Sequence, residues 1–425
     1  MLDQVYDVIV IGGGTAGVVA AIQAGRAGAK TLLVEKTGML GGTVTTGGVN
    51  APAAFFAWKK QVIAGIGWEL VTRCREESGQ PLSNAADGPH PIHGHWHIRI
   101  DRFIFAALCD QAVVDSGADI LFHTMIAGVA TIENCWEVTL CTKTGLCTCE
   151  TTVLIDCTGD ANAVALAGLP LIVPQECQPA TLCCHASGYD PQTLDIDAIN
   201  KALDEAVKDG RLSYSDVSWS MIAPNTGAWL RSKGENSGHV HHINALDSAG
   251  KTKLEIEARR IFLRLYRFLR SQPGLENLRI EHLAPECGVR ETATIVGNAT
   301  VTVDDYTSGR VWDDAVCYSF YPIDLHVSSG TGIQGQSLSE GTVPTVPRGA
   351  MLPKGSRNMV VAGRCISSDR LANSALRVEA TCMAVGQAAG VMAALAKSTK
   401  TDVDKLPMPA IHEMLKHYGA IVPQG

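Results

Sequence analysis

The chain has 425 residues, with 35 lysines and arginines against 43 aspartates and glutamates, and a formal net charge of −8. This length predicts two domains with sizeable hydrophobic cores. The acidic balance, without a basic cluster, argues against a nucleic-acid partner. The start of the chain lacks the basic region and cleavage site of a signal peptide, and no apolar run approaches the ~18 residues that span a bilayer. We therefore expect a cytoplasmic protein with no membrane partner, as a monomer or a homo-oligomer.

A strand, a glycine-rich turn and a helix come first. Val8–Ile11 is a run of β-branched residues, and Gly12, Gly14 and Gly17 follow it with G-x-G-x-x-G spacing before an Ala-rich stretch. In dinucleotide-binding folds the first glycine permits a tight turn, the second lets the backbone approach a pyrophosphate, and the third lets helix and strand pack closely. Free N–H groups at the helix start attract the phosphates. The pattern predicts a dinucleotide site; the alternative is a glycine-rich turn in another α/β domain.

An acidic residue ends the second predicted strand. Thr31–Val34 leads into Glu35, which is placed to accept hydrogen bonds from a ribose. A second glycine-rich run, residues 38–48, follows where a plain Rossmann domain would continue into its next helix. Small residues let the backbone pass close to the tricyclic ring of a flavin, which favours FAD over NAD. A flexible loop would have a similar composition.

The remaining elements follow from periodicity and turn residues. Helices are predicted at Trp68–Arg75, 98–117, Ile196–Lys208, Leu254–Arg270 and from Arg377 or Val378 to about Lys397. Strands are predicted at Asp119–His123, as a β-meander over Met125–Val153, at Leu154–Asp160 with a Thr-Gly-Asp turn, and at Asn358–Arg364. Because the last strand and helix suit the first βαβ unit, the C-terminal part of the chain is expected to return to the nucleotide domain.

These elements predict an α/β fold. A discontinuous Rossmann-like FAD-binding domain with a β-meander would carry an inserted α+β substrate or cap domain. The predicted FAD-binding domain comprises residues 1–50, 98–165 and 341–425. The predicted inserted domain comprises residues 51–97 and 166–340.

The sequence resembles a bacterial family of FAD-dependent oxidoreductases in the glutathione-reductase-type flavoprotein superfamily, distantly related to the fumarate reductase flavoproteins. Five segments carry the resemblance: Val8–Lys36, Leu40–Gly48, Ile155–Asp160, Gly288–His326 and Val360–Ala394. It implies bound FAD, a flavin-binding domain and an inserted substrate domain. Those fumarate reductase relatives attach FAD to a histidine near the position of Thr43–Thr46, which holds none, so non-covalent FAD is expected. The run His239-x-His241-His242 leaves a covalent link open.

The predicted cofactor contacts combine the first glycine motif with the later turns. They are Gly12, Gly14, Thr15, Ala16, Gly17, Glu35, Lys36, Gly42, Thr43, Ile126, Thr158, Gly159, Asp160, Gly363, Arg364 and Val378. In the resembled superfamily the C-terminal helix points its N-terminus at the flavin pyrimidine, where free N–H groups stabilise the reduced anion.

Three residues are predicted to carry the chemistry. Arg290 could bind a substrate carboxylate or donate a proton by analogy with fumarate reductases, or form a structural salt bridge with Glu291 or Asp324. His326 is the predicted general base because imidazole titrates near neutrality; a structural histidine is the alternative. Arg377 is a predicted substrate clamp or flavin contact, or a plain helix-terminal residue.

One position speaks against a site rich in arginine. Many family members carry a second arginine three residues after the position of Arg290, where this chain has Ala293. The sequence therefore puts an arginine-rich anion site in doubt.

A histidine-rich loop raises the question of a metal. His90, His93, His95 and His97 are close in sequence, and spacing of two would align three of them on one extended face. Asp101 is the one nearby carboxylate, so a substrate-side or surface loop is favoured and no metal is predicted.

Two further motifs exclude related chemistries. Gly330-Thr-Gly-Ile-Gln-Gly335 has nucleotide-motif spacing but follows no apolar strand, and later prolines argue against a helix after it. A separate NAD(P)H domain is thus not evident. The second glycine-rich run lacks the cysteine pair of flavin disulfide reductases, and the fourteen cysteines are expected to be reduced. Cys141, Cys147 and Cys149 are expected to be packed strand residues.

The sequence therefore predicts an FAD-dependent oxidoreductase that transfers a hydride between the flavin N5 and a small organic substrate held between the two domains. Other classes remain as alternatives: a dinucleotide-binding protein with a non-redox biosynthetic or RNA-modification role, and an NAD-dependent dehydrogenase. The acidic charge balance speaks against RNA.

Overall fold

The structure, a computed structural model, describes residues 5–80, 82 and 97–424. The strands are β1 (Val5–Ile11), β2 (Thr31–Val34), β3 (Phe56–Ala57), β4 (Lys60–Gln61), β5 (Asp119–Leu121), β6 (Met125–Ile132), β7 (Cys135–Thr142), β8 (Gly145–Asp156), β9 (Leu171–Ile172), β10 (Cys184–Ser187), β11 (Arg279–Leu283), β12 (Thr294–Ile295), β13 (Ala315–Tyr318), β14 (Ile323–His326), β15 (Ile333–Gln336), β16 (Thr345–Pro347) and β17 (Met359–Val361). The helices are α1 (Thr15–Arg26), α2 (Ile66–Glu77), α3 (Arg102–Asp115), α4 (Asn162–Leu166), α5 (Ile196–Lys208), α6 (Thr226–Arg231), α7 (Ser248–Arg270), α8 (Val303–Ser308), α9 (Arg370–Leu376), α10 (Glu379–Thr399) and α11 (Met408–His417).

The main sheet joins distant parts of the chain. Its order is β5-β2-β1-β8-β7-β6, and β17 pairs in parallel with β8. The strands β5, β2, β1, β8 and β17 run parallel, so their carboxyl ends meet at one edge of the sheet. Apolar runs suit these strands because helices cover parallel sheets on both faces.

The last strand of the predicted meander and the strand predicted at Leu154–Asp160 form one continuous strand, β8. In β8, the first part pairs antiparallel with β7, and the last three residues pair with β17. The predicted boundary between Val153 and Leu154 was therefore wrong. A strand of this length, 12 residues, links the meander directly to the parallel half of the sheet.

Helix α10 lies against α1 at very short range. A Cβ atom on Gly386 would lie 2.3 Å from the carbonyl oxygen of Ala16, and one on Gly390 would lie 2.5 Å from that of Ala20. Only glycine permits this approach of the two backbones. By length and composition α10 could cross a membrane, which the sequence reading had missed, but 89% of its most apolar stretch is buried inside the protein.

The other predicted helices and strands match with small shifts. Helix α5 has the predicted bounds, whereas α7 begins six residues before Leu254, at Ser248, where Asp247 accepts a hydrogen bond from the Gly250 N–H. Helix α10 begins at Glu379 after an N-cap at Val378. The short helix α9 just before it was not predicted.

The buried apolar side chains of the described residues form three hydrophobic cores. The largest surrounds the main sheet and also takes in side chains from Ala53–Cys74 and from Ile295–Val346. The two smaller cores draw on residues between Ala180 and Val289. The predicted domain boundaries (1–50, 98–165 and 341–425 against 51–97 and 166–340) stay a prediction.

Two further features of the sequence, residues 330–335 and the cysteines, can be compared with their expected structures. Residues 330–335 lead into β15, which forms a hairpin with β14, and no helix follows them. The fourteen cysteines are free thiols. Cys149 is buried and Cys147 is half-buried, but Cys141 is exposed, so the expectation of a packed side chain was wrong there.

Candidate functional site

A cleft of about 1670 Å³ opens at the carboxyl edge of the parallel strands. It continues from the first glycine motif to side chains from residues 217–252 and 286–290. All the predicted cofactor and catalytic residues except Gly17 line it. The structure thus brings together residues that are as far apart in the sequence as Gly12 and Val378.

The three motif glycines have different packing constraints. Gly12 has φ +99°, and a Cβ atom there would lie 2.5 Å from the carbonyl oxygen of Cys157. A Cβ atom on Gly17 would lie 1.8 Å from the carbonyl oxygen of Gly12, which explains why this residue is in the packing and not in the cleft wall. A Cβ atom on Gly14 would meet no atom within 4 Å. Gly14 lines the cleft, so its missing side chain leaves room for a ligand.

Glu35 is buried and holds the turn together. One carboxylate oxygen accepts from the Gly13 N–H at 2.7 Å, and the other accepts from the N–H and the hydroxyl of Thr37, both at 2.7 Å. A carboxylate has about four acceptor positions, so one remains for a ribose hydroxyl.

The second glycine-rich run packs against the first. The Gly41 N–H donates to the Gly13 carbonyl at 2.8 Å, and a Cβ atom on Gly42 would lie 2.8 Å from the Cα of Gly14. Lys36 also lines the cleft, but its ammonium pairs with Glu286 at 2.8 Å. A cofactor that contacts Lys36, as predicted, would therefore share its ammonium group with Glu286.

Arg364 supplies a free donor in the middle of the cleft. Its Nη2 donates to Asp160 at 2.6 Å, whereas its Nη1 is buried and has no hydrogen-bond partner among the described residues. An unpaired guanidinium N–H in the wall of a cleft that also contains the N-terminus of α1 suits an anionic ligand. The residues present therefore fit the diphosphate of a dinucleotide.

Removal of this donor tests that fit. We expect Arg364→Met to weaken FAD binding by about 10- to 100-fold, because a charge-assisted hydrogen bond contributes about 1.5–3 kcal/mol. Fluorescence titration of the apoprotein with FAD measures the change. The matched control is Arg211→Met, which removes a surface arginine whose side chain is 62% exposed. Equal FAD affinity in the two variants would contradict the assignment.

The far end of the cleft holds a buried arginine with no carboxylate partner in the described part of the chain. Arg290 is 7% exposed and donates to the carbonyl oxygen of Pro179 at 2.7 Å, the hydroxyl of Thr181 at 2.9 Å and the amide oxygen of Asn236 at 3.2 Å. Burial, and next the nearby charge of Arg377, lowers the pKa of its guanidinium to about 10. It stays charged at neutral pH.

Arg377 and Asp324 form a weak pair beside it. The Nη2 of Arg377 lies 3.4 Å from a carboxylate oxygen of Asp324 and donates to the Asp324 carbonyl at 3.1 Å. Burial alone would raise the pKa of Asp324, but a hydrogen bond from His326 and the charge of Arg377 together lower it to about 2. Arg377, from a distant part of the chain, brings a second guanidinium near Arg290 although position 293 holds alanine. The doubt that Ala293 raised about an arginine-rich anion site stays a prediction.

His326 has protein partners at both ring nitrogens. Its Nδ1 lies 2.7 Å from Nε2 of His239, and its Nε2 lies 3.4 Å from a carboxylate oxygen of Asp324. Burial, together with the charge of Arg290, lowers its pKa to about 3. The ring is therefore neutral at pH 7, and its assignment as general base stays a prediction.

Sequence reasoning missed several residues around His326. Trp219 lines the cleft, and its ring lies edge-on to that of His326 at 5.3 Å between centroids. Gln178 is buried, and its side-chain oxygen accepts from the His326 N–H at 3.1 Å. No local pattern marks these residues, because their partners lie far along the chain.

Glu379 is a further carboxyl in the cleft wall. It is the first residue of α10, and burial raises its pKa to about 7. The signal in the sequence was its position next to Val378, at the helix start that the resemblance had assigned to the flavin. It is half protonated at neutral pH.

The raised pKa predicts a pH-dependent cost in stability. The unfolded carboxyl has a pKa of about 4.5 and the folded one of about 7, so the folded state binds the proton more tightly and loses stability as pH rises through this window. We expect Glu379→Gln to unfold like the wild type at pH 4 and to be more stable by about 1–3 kcal/mol at pH 8. Guanidinium unfolding of the apoprotein measures both; Glu413→Gln, an exposed carboxyl, is the control. A constant difference at the two pH values would contradict this.

The predicted histidine cluster falls mostly outside the described residues. His90, His93 and His95 lie there, whereas His97 lines the cleft with its ring 6.1 Å from that of Tyr321. Within residues 5–80, 82 and 97–424, no group of three or more histidine, cysteine or acidic side chains has an arrangement that would hold a metal ion.

The fold and the cleft together define an α/β protein with a dinucleotide site. This site continues into the part of the cleft lined by Arg290, Asp324, His326 and Arg377, here called the chamber. The chain belongs to the FAD dependent oxidoreductase family, which it matches over residues 7–415. It is an oxidoreductase with FAD as its cofactor.

Two curated relatives match over short segments, and one solved structure matches over most of the chain. A dihydrolipoyl dehydrogenase of Trypanosoma brucei brucei is 63% identical over 38 residues, 9% of this chain and 8% of the relative. A cinnamate reductase of Clostridium sporogenes is 36% identical over 72 residues, 16% of this chain and 11% of the relative. A geranylgeranyl bacteriochlorophyll reductase-like structure from Thermoplasma acidophilum is 14% identical, with a TM-score of 0.46 over 97% of this chain and 83% of that one.

Proposed function

We propose that the protein transfers a hydride between FAD and a small organic anion bound by Arg290 and Arg377. Bound FAD supplies the hydride acceptor or donor at its N5 atom. The chain's own residues bind the substrate, exclude water and move the accompanying proton. The observation that carries this proposal is the buried guanidinium of Arg290, which has no carboxylate partner in the described residues.

The charge balance of the chamber supports an anionic substrate. Arg290 and Arg377 contribute two positive charges, and Asp324 contributes one full negative charge because its pKa is about 2. Glu379, whose pKa is raised to about 7, carries only part of a second negative charge at neutral pH. His326 is neutral at pH 7. A buried charge without a partner is costly, so a substrate carboxylate would stabilise the chamber and find donors in place.

Two other arginines near the cleft already have carboxylate partners. Arg370 pairs with Glu291 at 3.1 Å, and Arg364 pairs with Asp160 at 2.6 Å. The predicted salt bridge between Arg290 and Glu291 is therefore absent in this structure, because Glu291 has Arg370 as its partner. The guanidinium of Arg290 therefore remains available to a substrate in the chamber.

The position of the chamber supports a role in catalysis. Arg377 and Glu379 flank the start of α10, at the same edge of the sheet as the nucleotide motif. A substrate held there would lie within the same continuous cleft as the cofactor. The residues from the inserted region would shield it from water, which strengthens every electrostatic contact.

The test combines colour with substrate charge. Purified protein should absorb at about 370 and 450 nm, and acid precipitation should release the pigment if FAD is non-covalent. The oxidised protein is then mixed anaerobically with a panel of small hydroxy, amino and saturated carboxylates, and the photoreduced protein with unsaturated ones. Each acid is paired with its neutral amide.

We expect bleaching, or reoxidation, by at least one carboxylate and a much weaker response to its amide. A response of equal size to the neutral amide would overturn the anionic substrate. A colourless protein that cannot be reconstituted with FAD would overturn the redox proposal as a whole.

A further inference from the structure

Four histidines lead from the cleft wall to the protein surface. His326 lines the cleft and is 4% exposed, His239 behind it is 2% exposed, His241 is half-buried and His242 is exposed. We propose that these four side chains form a proton relay between the substrate chamber and solvent. The inference rests on the proposed function in one respect: a hydride transfer to or from an organic substrate is accompanied by a proton that has to enter or leave the chamber.

The first link is a direct hydrogen bond. The Nδ1 of His326 lies 2.7 Å from Nε2 of His239, so one nitrogen carries the proton and the other accepts it. The charge of Asp324 determines which of the two nitrogens carries the proton. Its carboxylate lies 3.4 Å from Nε2 of His326, and a lone pair there would face a negative charge. The favoured tautomer of His326 therefore has its proton on Nε2, and His239 donates from its Nε2.

The second link joins two nitrogens without protein partners. With that tautomer, Nδ1 of His239 is an acceptor, and it is buried with no hydrogen-bond partner among the described residues. The Nε2 of His241 is buried and unpartnered in the same way. The two rings are perpendicular neighbours with centroids 5.3 Å apart. One water between them would satisfy both nitrogens and complete the link.

The outer end reaches solvent. The Nδ1 of His241 is hydrogen-bonded to the hydroxyl of Ser328 at 2.9 Å, and the ring of His242 lies 5.8 Å from that of His241. Because His242 is exposed, a proton that reaches His241 has a titratable group on the surface beside it.

The charges around the relay keep its inner rings neutral. His326 faces Arg290, Arg377 and Asp324; His239 faces Arg290 and His241; His241 faces His242 and Asp216. Burial, the largest cause in each case, lowers the pKa of His326 to about 3 and that of His241 to about 4, and it lowers that of His239 further. A neutral imidazole has one donor and one acceptor nitrogen, which is what a chain of proton transfers needs.

The resting polarity delivers a proton inward. A proton bound at Nδ1 of His239 allows its Nε2 proton to pass to Nδ1 of His326. The Nε2 proton of His326 then passes to Asp324 or to a substrate atom in the chamber. One proton enters and one is delivered, with no change in electrons. Inward delivery leaves the proton of both inner rings on Nδ1. From that state, a proton taken up from the chamber at Nε2 of His326 lets the Nδ1 proton of His326 pass outward to Nε2 of His239 through the same hydrogen bond.

A purely structural role explains the arrangement less well. A histidine that only packs would find partners for both ring nitrogens, because an unpaired buried polar atom costs stability. His239 and His241 each leave one nitrogen unpaired, and these two nitrogens belong to neighbouring rings.

The test measures the exchange of the His326 ring proton with solvent and needs no substrate. The FAD-loaded protein is labelled with [15N]histidine, and the ring signals of His326 and His239 are assigned by substitution. We expect His326 to carry its proton on Nε2. We expect the exchange of this proton with solvent to slow by at least about tenfold in His241→Gln, because glutamine cannot pass a proton on at neutral pH.

Two variants separate the relay from general damage. His242→Gln changes an exposed residue and should also slow the exchange while leaving the fold unchanged. His417→Gln, an exposed histidine outside the chain of rings, should leave the exchange rate at the wild-type value. An Nδ1 proton on His326 overturns the direction, and equal exchange rates in wild type, His241→Gln and His242→Gln overturn the relay. Because no substrate is used, failure of the carboxylate screen with slowed exchange in these variants would count against the substrate alone.

Discussion

Gly17→Ala is expected to unfold the nucleotide-binding unit, whereas Gly14→Ala is expected to keep the fold and lose the cofactor. The two residues belong to one motif but have different neighbours. An added Cβ on Gly17 would lie 1.8 Å from the carbonyl oxygen of Gly12, and both groups are fixed by the backbone. Overpacking usually costs about 1–3 kcal/mol, and a backbone clash of this size should cost more than about 3 kcal/mol.

Gly14 provides the matched comparison because its Cβ would meet no atom within 4 Å and would project from the cleft wall. We expect the free energy of unfolding of the Gly14→Ala apoprotein to lie within about 0.5 kcal/mol of wild type. The same methyl group should reduce FAD affinity by at least about tenfold, because the diphosphate is expected to approach the backbone there.

Guanidinium unfolding of the two apoproteins and fluorescence titration with FAD distinguish these effects. If Gly14→Ala bound FAD as tightly as wild type, the diphosphate would not lie at this turn. If Gly17→Ala folded with wild-type stability, helix α1 would have to shift away from β1.

Arg290→Met is expected to abolish recognition of the anionic substrate without unfolding the protein. Truncation of a buried, hydrogen-bonded partner of a charge costs about 2–5 kcal/mol in binding, which is about 30-fold to several thousand-fold in affinity. Stability should change by less than about 2 kcal/mol. The variant leaves the acceptors on Pro179, Thr181 and Asn236 unpaired, but it also removes a buried charge that has no ion-pair partner in the described residues.

The control for this variant is Arg279→Met, since the side chain of Arg279 is 74% exposed. Anaerobic titration with the most active carboxylate of the screen gives the affinity through the flavin spectrum. Arg290→Lys should recover only part of the loss, because lysine keeps the charge but lacks the planar set of donors. An unchanged carboxylate affinity in Arg290→Met would exclude this residue from the substrate site.

The sequence was sufficient where the signal is local. The roles of Gly12 and Gly17 follow from the turn that the motif forms, and the packing in the structure agrees with them. The long helix near the C-terminal part of the chain was predicted from Arg377 or Val378 to about Lys397, and α10 spans Glu379–Thr399. Residues predicted one by one from separate motifs proved to line one cleft.

Contacts between distant residues could not be read from the chain. His239 and His326 are 87 positions apart, and nothing in either segment announces the hydrogen bond between them. Arg377 is near Arg290 only because α10 returns to the first part of the sheet. Position 293 holds alanine, and the second positive charge near Arg290 comes from another part of the chain.

The return of the C-terminal strand and helix to the first βαβ unit has a consequence for synthesis. A ribosome releases the chain from its N-terminus at about 5–20 residues per second, so the apolar face of α1 waits roughly 20–75 s for α10 to appear. During this interval the nascent chain exposes an apolar surface of the kind that chaperones bind. The finished pocket also contains residues from both ends of the chain. Cofactor loading is therefore expected only after α10 has been synthesised, and a chain truncated before α10 is expected to be degraded.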